Sequence, residues 1–162
     1  LYAEENRAFN FSTLNLNNGL SQLSVLDICQ DDKGYIWFAT RNGLNKYDGT
    51  HFTIYKHSNR DNNSLSDNHI TKLLPDNVRG GLWVGTNNGL NYLDPKTNLI
   101  TNYQLADYPE LPSNSILSLC LDKSGKLWVG TRLGLCFWQP ENKTFKLVTL
   151  DGQLDKESIT SR

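Results

Sequence analysis

Three short polar steps recur along the chain: Arg41-Asn42, Asn87-Asn88 and Arg132-Leu133. Each directly follows a threonine and directly precedes a Gly-Leu pair. Arg presents a planar fork of donors, and the Asn amide offers both a donor and an acceptor, which is the chemistry that holds sugar hydroxyls or carboxylates. His69, Tyr108 and Asn114 lie in the segments between these steps, with His57 and Arg60 nearby, and a tyrosine ring suits stacking on a sugar face. The candidate ligand-binding set is therefore Arg41, Asn42, His69, Asn87, Asn88, Tyr108, Asn114 and Arg132. A structural reading competes with it: Asn before Gly is ordinary turn chemistry, and an exposed Arg is ordinarily solvated. For any one residue that reading is the simpler, so the set carries weight only as a shared face.

Catalytic readings find less support. His51, His57 and His69 fall at unrelated positions of the repeat described below, and His57, Asp61, Asp67 and His69 have no metal-ligand spacing. Asp31, Asp76 and Asp122 recur at one equivalent turn, which argues for turn capping and against a catalytic carboxylate pair. Ser113 and Ser115 have no base readable beside them, and no phosphate-cradling Gly loop precedes a helix. The sequence nominates no catalytic residue, no metal ligand and no cofactor. Asn62-Asn63-Ser64 and Asn142-Lys143-Thr144 match the glycosylation pattern, a match that carries little weight.

What positions the candidate face is a repeat. Tyr35-Ile-Trp37-Phe-Ala-Thr40, Gly81-Leu-Trp83-Val-Gly-Thr86 and Lys126-Leu-Trp128-Val-Gly-Thr131 place their tryptophans 46 and 45 residues apart. Such a period marks a repeat architecture. Each unit reads as four short strands. The first covers Val25–Gln30, Ile70–Leu74 and Ile116–Leu121, and the second carries the Trp. The third covers Leu44–Tyr47, Leu90–Leu93 and Leu135–Trp138, and the fourth Phe52–Tyr55, Leu99–Tyr103 and Phe145–Leu150. Asp-to-Gly spacings at Asp31–Gly34, Asp76–Gly80 and Asp122–Gly125 predict hairpins with Gly at positive φ. Pro75, Pro95, Pro112 and Pro140 are expected at strand ends or turns.

Four antiparallel strands at this period describe a β-propeller blade. The expected class is all-β, with three complete four-stranded antiparallel blades, a leading strand and the start of a fourth blade, together a fragment of a larger propeller. The leading strand is placed in 9–18, around Phe9–Leu14, and the blades at 19–63, 64–110 and 111–153. The fourth opens at 154–162, where Leu154 and Ile159 repeat the spacing of Leu65 and Ile70. Trp37, Trp83 and Trp128 are read as structural blade core, because stacked repeats need such a shared core. Alternate connections of a blade emerge on opposite sides. The uniform turns after the first and third strands therefore share one face. The variable turns after the second strand share the other with the long links Lys56–Asn68 and Gln104–Asn114, and variable loops on a rigid scaffold are where binding concentrates.

Composition narrows the function classes. The chain has 162 residues, 38% hydrophobic and 20% charged, with net charge −1. No basic field suggests nucleic acid, and no apolar run is long enough to insert in a membrane. With no Met in it, the chain is expected to be a piece of a longer precursor. Cys29 and Cys120 align with Leu74 at an expected buried strand position, Cys136 aligns with Asn45 and Asn91, and three cysteines give no disulfide framework.

The pattern Asp-x-x-Gly-x-Leu/Ile-Trp-Val-Gly-Thr-x-x-Gly-Leu-x-x-Tyr resembles the two-component regulator propeller repeat. The opening Asn18-Gly19-Leu20-Ser21, then Val25, then Asp31-Asp-Lys-Gly34-Tyr-Ile-Trp37, resembles the start of the sensor region in Bacteroidetes hybrid two-component systems. The resemblance covers about residues 9 to 162 and departs from the repeat at Phe38-Ala39, where the other copies have Val-Gly. It implies a periplasmic sensor of two seven-bladed propellers. A β-sandwich, a membrane helix, a histidine kinase and a DNA-binding regulator follow these in the family. It also implies sensing of glycans or their breakdown products and control of polysaccharide-utilisation genes.

Three function classes follow. The first is a non-catalytic oligosaccharide-binding part of a histidine kinase sensor. The second is a propeller acting as a protein-interaction or dimerisation surface without a small ligand. The third, a propeller lyase or hydrolase, lacks an acid–base cluster. A run of blades with open ends also leaves apolar faces, so self-association, as a homodimer or by ring closure between chains, is expected.

Overall fold

The computed structural model describes residues 12–149. It contains three four-stranded antiparallel sheets and no α-helix among the described residues. Blade 1 comprises β1 (Val25–Gln30), β2 (Ile36–Thr40), β3 (Gly43–Tyr47) and β4 (Phe52–Tyr55). Blade 2 comprises β5 (Ile70–Asp76), β6 (Gly81–Thr86), β7 (Gly89–Asp94) and β8 (Leu99–Tyr103). Blade 3 comprises β9 (Ile116–Leu121), β10 (Leu127–Thr131), β11 (Gly134–Gln139) and β12 (Thr144–Leu147). Each sheet runs in sequence order, as hairpin-connected strands must, and β5 touches both β1 and β9, so the first strands lie side by side.

Each blade repeats one internal bond scheme. The indole N–H of Trp37, Trp83 and Trp128 donates to Oδ2 of Asp31, Asp76 and Asp122 at 2.8, 3.1 and 3.0 Å. Oδ1 of the same aspartates accepts backbone N–H groups of the turn, from Lys33, Arg79 and Ser124 among others. One carboxylate thus closes the first hairpin and orients the core tryptophan. Burial raises the Asp76 pKa, but bonds from the Arg79 backbone and guanidinium and from Trp83 outweigh it and hold the carboxyl below its usual range. The Ser124 hydroxyl and the Trp128 indole likewise hold the Asp122 carboxyl below its usual range.

Blades stack through two apolar cores. Trp37, Leu44 and Leu65 meet Ile70, Leu82, Val84 and Leu93 between blades 1 and 2. Trp83, Leu90 and Leu111 meet Ile116, Leu127, Val129 and Phe145 between blades 2 and 3. Burying each such leucine contributes about 2 kcal/mol. Gly85 lets blades 2 and 3 approach, since a Cβ there would lie 2.7 Å from Ile116 Cγ2.

The equivalent positions reveal where stacking stops among the described residues. Leu44 and Leu90 are 0% exposed, while Leu135 is 41% exposed. Trp37 and Trp83 are buried and Trp128 is half-buried. At the other end Leu26, Ile28 and Ile54 of blade 1 are exposed. Cys120, expected to be buried like Leu74, is exposed for the same reason: its partner would be a further blade. Cys29 is half-buried and Cys136 buried.

Other departures are local. Pro75 lies within β5, opposite Leu82, and not at a strand end. β5 is an edge strand, where a missing N–H costs no ladder bond. The final strand ends at Leu147. Of the strand expected over Phe9–Leu14, residues 9–11 lie outside the described residues and 12–14 are not in a strand; an Asn15-capped 3-10 turn, Leu16–Asn18, follows. The expected start of a fourth blade at 154–162 also lies outside the described residues.

Candidate functional site

The turn after each second strand is fixed from below by a threonine. Oγ1 of Thr40, Thr86 and Thr131 donates to the carbonyl of Gly43, Gly89 and Gly134 at 2.8, 2.8 and 2.9 Å. The same oxygens accept the N–H of Asn42, Asn88 and Leu133. The turn is thereby clasped and the side chains between are held outward. Gly89 needs its lack of a side chain: φ is 131°, and a Cβ would lie 2.9 Å from the Tyr103 carbonyl oxygen.

The inter-blade links join the same surface. Gly43 N–H donates to Asn68 O at 2.8 Å, and Gly89 N–H to Asn114 O at 2.7 Å. Asn87 N–H donates to His69 O, and Arg132 N–H to Ser115 O. Turn and link therefore share a face through backbone bonds, and side chains there are free to vary.

On that face the candidate residues form pairs and not one cluster. Asn87 Nδ2 lies 3.0 Å from His69 Nδ1, within hydrogen-bond distance. Asn114 Nδ2 donates to Asn88 Oδ1 at 3.2 Å, while Asn114 Oδ1 accepts the Leu105 N–H at 2.6 Å. Asn42 Oδ1 accepts from Lys56 Nζ and its Nδ2 donates to Ser21 O. Arg41 and Arg132 are exposed, in blades 1 and 3, and among the described residues their guanidinium groups make no hydrogen bond to the other candidates. Asn114 is thus chiefly a link-closing residue, matched by Asn68, whose Oδ1 accepts the His57 N–H at 2.9 Å.

Tyr108 is placed differently from the expectation of an open stacking platform. Its ring is half-buried among Tyr103, Trp138 and Phe145, with centroids 5.3, 5.8 and 5.7 Å away. It seals the joint between blades 2 and 3. Burial, then the nearby Tyr108 and Tyr92, pushes the Tyr103 hydroxyl up to about 12.

A polar opening sits beside blade 2. A groove of about 440 Å³ runs between the link residues His57–Ser66 and the surface formed by Asn88, Asn102, Gln104 and Asp107. His57 shapes it: Nδ1 donates to the Leu65 carbonyl at 2.6 Å, and Nε2 lies 2.8 Å from Asn59 Oδ1. Asn102 Nδ2 donates to Ser64 O at 3.0 Å, but Asn102 Oδ1 is buried with no donor among the described residues. An unpaired buried acceptor costs about 1–3 kcal/mol, so it is not neutral decoration. Only Asn88 of the eight candidates lines this groove. Asn102 and Gln104 were absent from the candidate set. The signal for Asn102 is readable in the aligned repeats, where its equivalents are Ile54 and Leu147.

Among the described residues no group of three or more His, Cys, Asp or Glu is arranged to hold a metal ion, and no helix is long and apolar enough to cross a membrane. Cys136 is pushed up to about 12 by burial, and Cys29 likewise by burial and then by Asp27 and Asp31, which leaves both as poor nucleophiles.

Comparison with known proteins gives three kinds of likeness. The family described as "Two component regulator propeller" matches residues 19–42 and 110–132. A 62-residue stretch is 47% identical to histidine kinase P4 of Formosa agariphila; it covers 38% of this chain and 4% of that protein. The extracellular domain of the hybrid two component system BT3049 from B. thetaiotaomicron superposes with TM-score 0.58 at 27% identity, covering 86% of this chain and 26% of that one. Streptogramin B lyase shares the fold alone, with TM-score 0.60 at 16% identity over 82% of this chain and 43% of that one. The chain therefore spans a small part of the relatives it matches. A fold shared by a sensor domain and a lyase leaves function to the site.

Proposed function

We propose, from the premise that these blades are two-component regulator propeller repeats, that the chain forms part of the periplasmic ligand-sensing region of a hybrid histidine kinase. The ligand is an oligosaccharide, and its binding controls polysaccharide-utilisation genes through kinase and regulator domains elsewhere in the protein. The region binds and does not catalyse. The observation that carries this reading is the asymmetry of the two faces. The Asp-turn face repeats one bond scheme in every blade, whereas the Thr-clasped face changes its side chains from blade to blade over an unchanged backbone. Amides, imidazoles and guanidinium groups on a fixed frame match polyol recognition. Calorimetric titration against a panel of oligosaccharides tests it: saturable heat with one glycan class supports sensing, and silence across the panel counts against it.

A second reading, a surface for self-association, draws on the exposed end faces. Leu135 with Trp128 at one end, and Leu26, Ile28 and Ile54 at the other, resemble the two halves of an inner blade interface. Such faces would join head to tail between copies. Light scattering across a dilution series distinguishes this, because a monomer at every concentration removes it. Neither reading calls for a nucleic-acid partner or for membrane insertion by this region.

A further inference from the structure

We propose that the groove between the first inter-blade link and blade 2 binds an uncharged, hydroxyl-rich saccharide and discriminates against anionic sugars. This names the ligand class for the sensing reading above and rests on it.

The internal repeat supplies the first argument. Three wall positions of blade 2 are polar, Ser66, Asn88 and Asn102; their equivalents in blade 3 are Pro112, Leu133 and Leu147, all apolar. In blade 3 these positions lie close together, since a Cβ on Gly134 would touch both Leu147 and Pro112. Blade 1 carries Ser21, Asn42 and Ile54 at these positions, so the scaffold tolerates either kind of wall, and of the three described blades blade 2 is the one polar at all three. Asn102 is polar there while leaving its Oδ1 buried without a donor.

Shape supplies the second. The link Lys56–Asn68 is two residues longer than Gln104–Asn114. The shorter link lays Tyr108 into the joint between blades, whereas the longer one carries no aromatic between His57 and His69 and leaves grooves of about 390 and 440 Å³. A few saccharide units fit an opening of that size.

Charge supplies the third. The lining of the larger groove includes Asp61 and Asp107 and contains neither Lys nor Arg. Carboxylates accept hydrogen bonds from hydroxyls and repel sulfate or uronate groups. Arg41 and Arg132, the cations of the candidate face, are not among its lining residues.

The test is calorimetry on the whole chain with two sets of probes. The neutral set is maltohexaose, laminarihexaose, xylohexaose and mannohexaose; the anionic set is hexagalacturonate and a heparin hexasaccharide. Titrations are repeated on Asn102→Leu, which installs the blade 3 residue, and on Gln104→Ala and Asp107→Lys, with each thermal midpoint recorded. At least one neutral probe is expected to bind. Asn102→Leu and Gln104→Ala should each weaken it at least tenfold with the midpoint held, and Asp107→Lys should raise affinity for hexagalacturonate. Neutral binding indifferent to both groove substitutions overturns the groove and leaves the sensing reading standing. So does preferential binding of an anionic probe by the unaltered chain. Silence toward both sets overturns the two together.

Discussion

The backbone N–H of Ser66 donates to Asn91 Oδ1 at 2.8 Å, tying the end of one blade's link to the third strand of the next. Ser21 and Asn45 repeat the bond at the same length. In blade 3 the pair is Pro112 and Cys136. The proline has no N–H to give, and the acceptor that would have served it is gone. The Cys136 thiol still bonds Val129 O, as the Asn91 amide bonds Val84 O. Donor and acceptor have been exchanged together, which avoids an unpaired buried group.

Asn91→Ala breaks that balance. It strands the Ser66 N–H and one bond to the Val84 carbonyl in a buried setting, so the chain should lose about 2 kcal/mol of stability. Urea unfolding followed by tryptophan fluorescence measures it; a change under 0.5 kcal/mol would contradict the structural role assigned here.

Stability should decline in acid. Asp76 and Asp122 both have folded-state carboxyls below their ordinary values, and Asp48 is held at about 2, chiefly by the backbone N–H groups of His51 and Thr50. Groups lowered on folding contribute stability that is complete above the unfolded carboxyl pKa of about 4 and is lost as pH falls through the folded values. Thermal midpoints between about pH 5 and 2 should therefore fall. Asp76→Asn should flatten that slope while lowering the midpoint at neutral pH.

Thiol chemistry should be selective. Cys120 is exposed, and Cys136 is buried with its thiol pushed up to about 12. An aromatic disulfide reagent near pH 8 should label Cys120 first, Cys29 more slowly and Cys136 only on unfolding. If copies join through the blade 3 face, Cys120 labelling should also slow as protein concentration rises. A rate independent of concentration would argue against that contact.

Gly85→Ala should push blades 2 and 3 apart. The new methyl meets the Ile116 side chain at 2.7 Å, and overpacking of this kind costs about 1–3 kcal/mol. The equivalent position in blade 1 is already Ala39, fully buried, so Ala39→Gly should change stability by less.

The fold was open to sequence reading because every blade spells it again. The Asp–Trp pair, the Thr-Gly clasp and the period each appear three times, and agreement among copies replaced guesswork about any one. The candidate site was less legible for the same reason. A groove is made where one copy differs, and Asn102 stands out only after Ile54 and Leu147 are aligned with it. Tyr108 misled because its type suggests a ligand platform, while its surroundings, Trp138 and Phe145, come from the next blade, 30 and 37 residues away in sequence. Pro75 misled because the rule against proline in strands relaxes at an edge, and edges are a property of the assembled sheet.

The graded burial of Leu44, Leu90 and Leu135 has a kinetic consequence. Among the described residues blade 2 alone is clamped on both sides, and nearest-neighbour coupling makes a row of repeats melt from its ends. Amide protons of β6 and β7 should then exchange last and those of β12 early. In a longer array the same chemistry would place blade 3 in the protected interior. The local lifetime of the ligand groove would thus be set by how many blades stand beyond it, which links the reach of the polypeptide to the persistence of its binding surface.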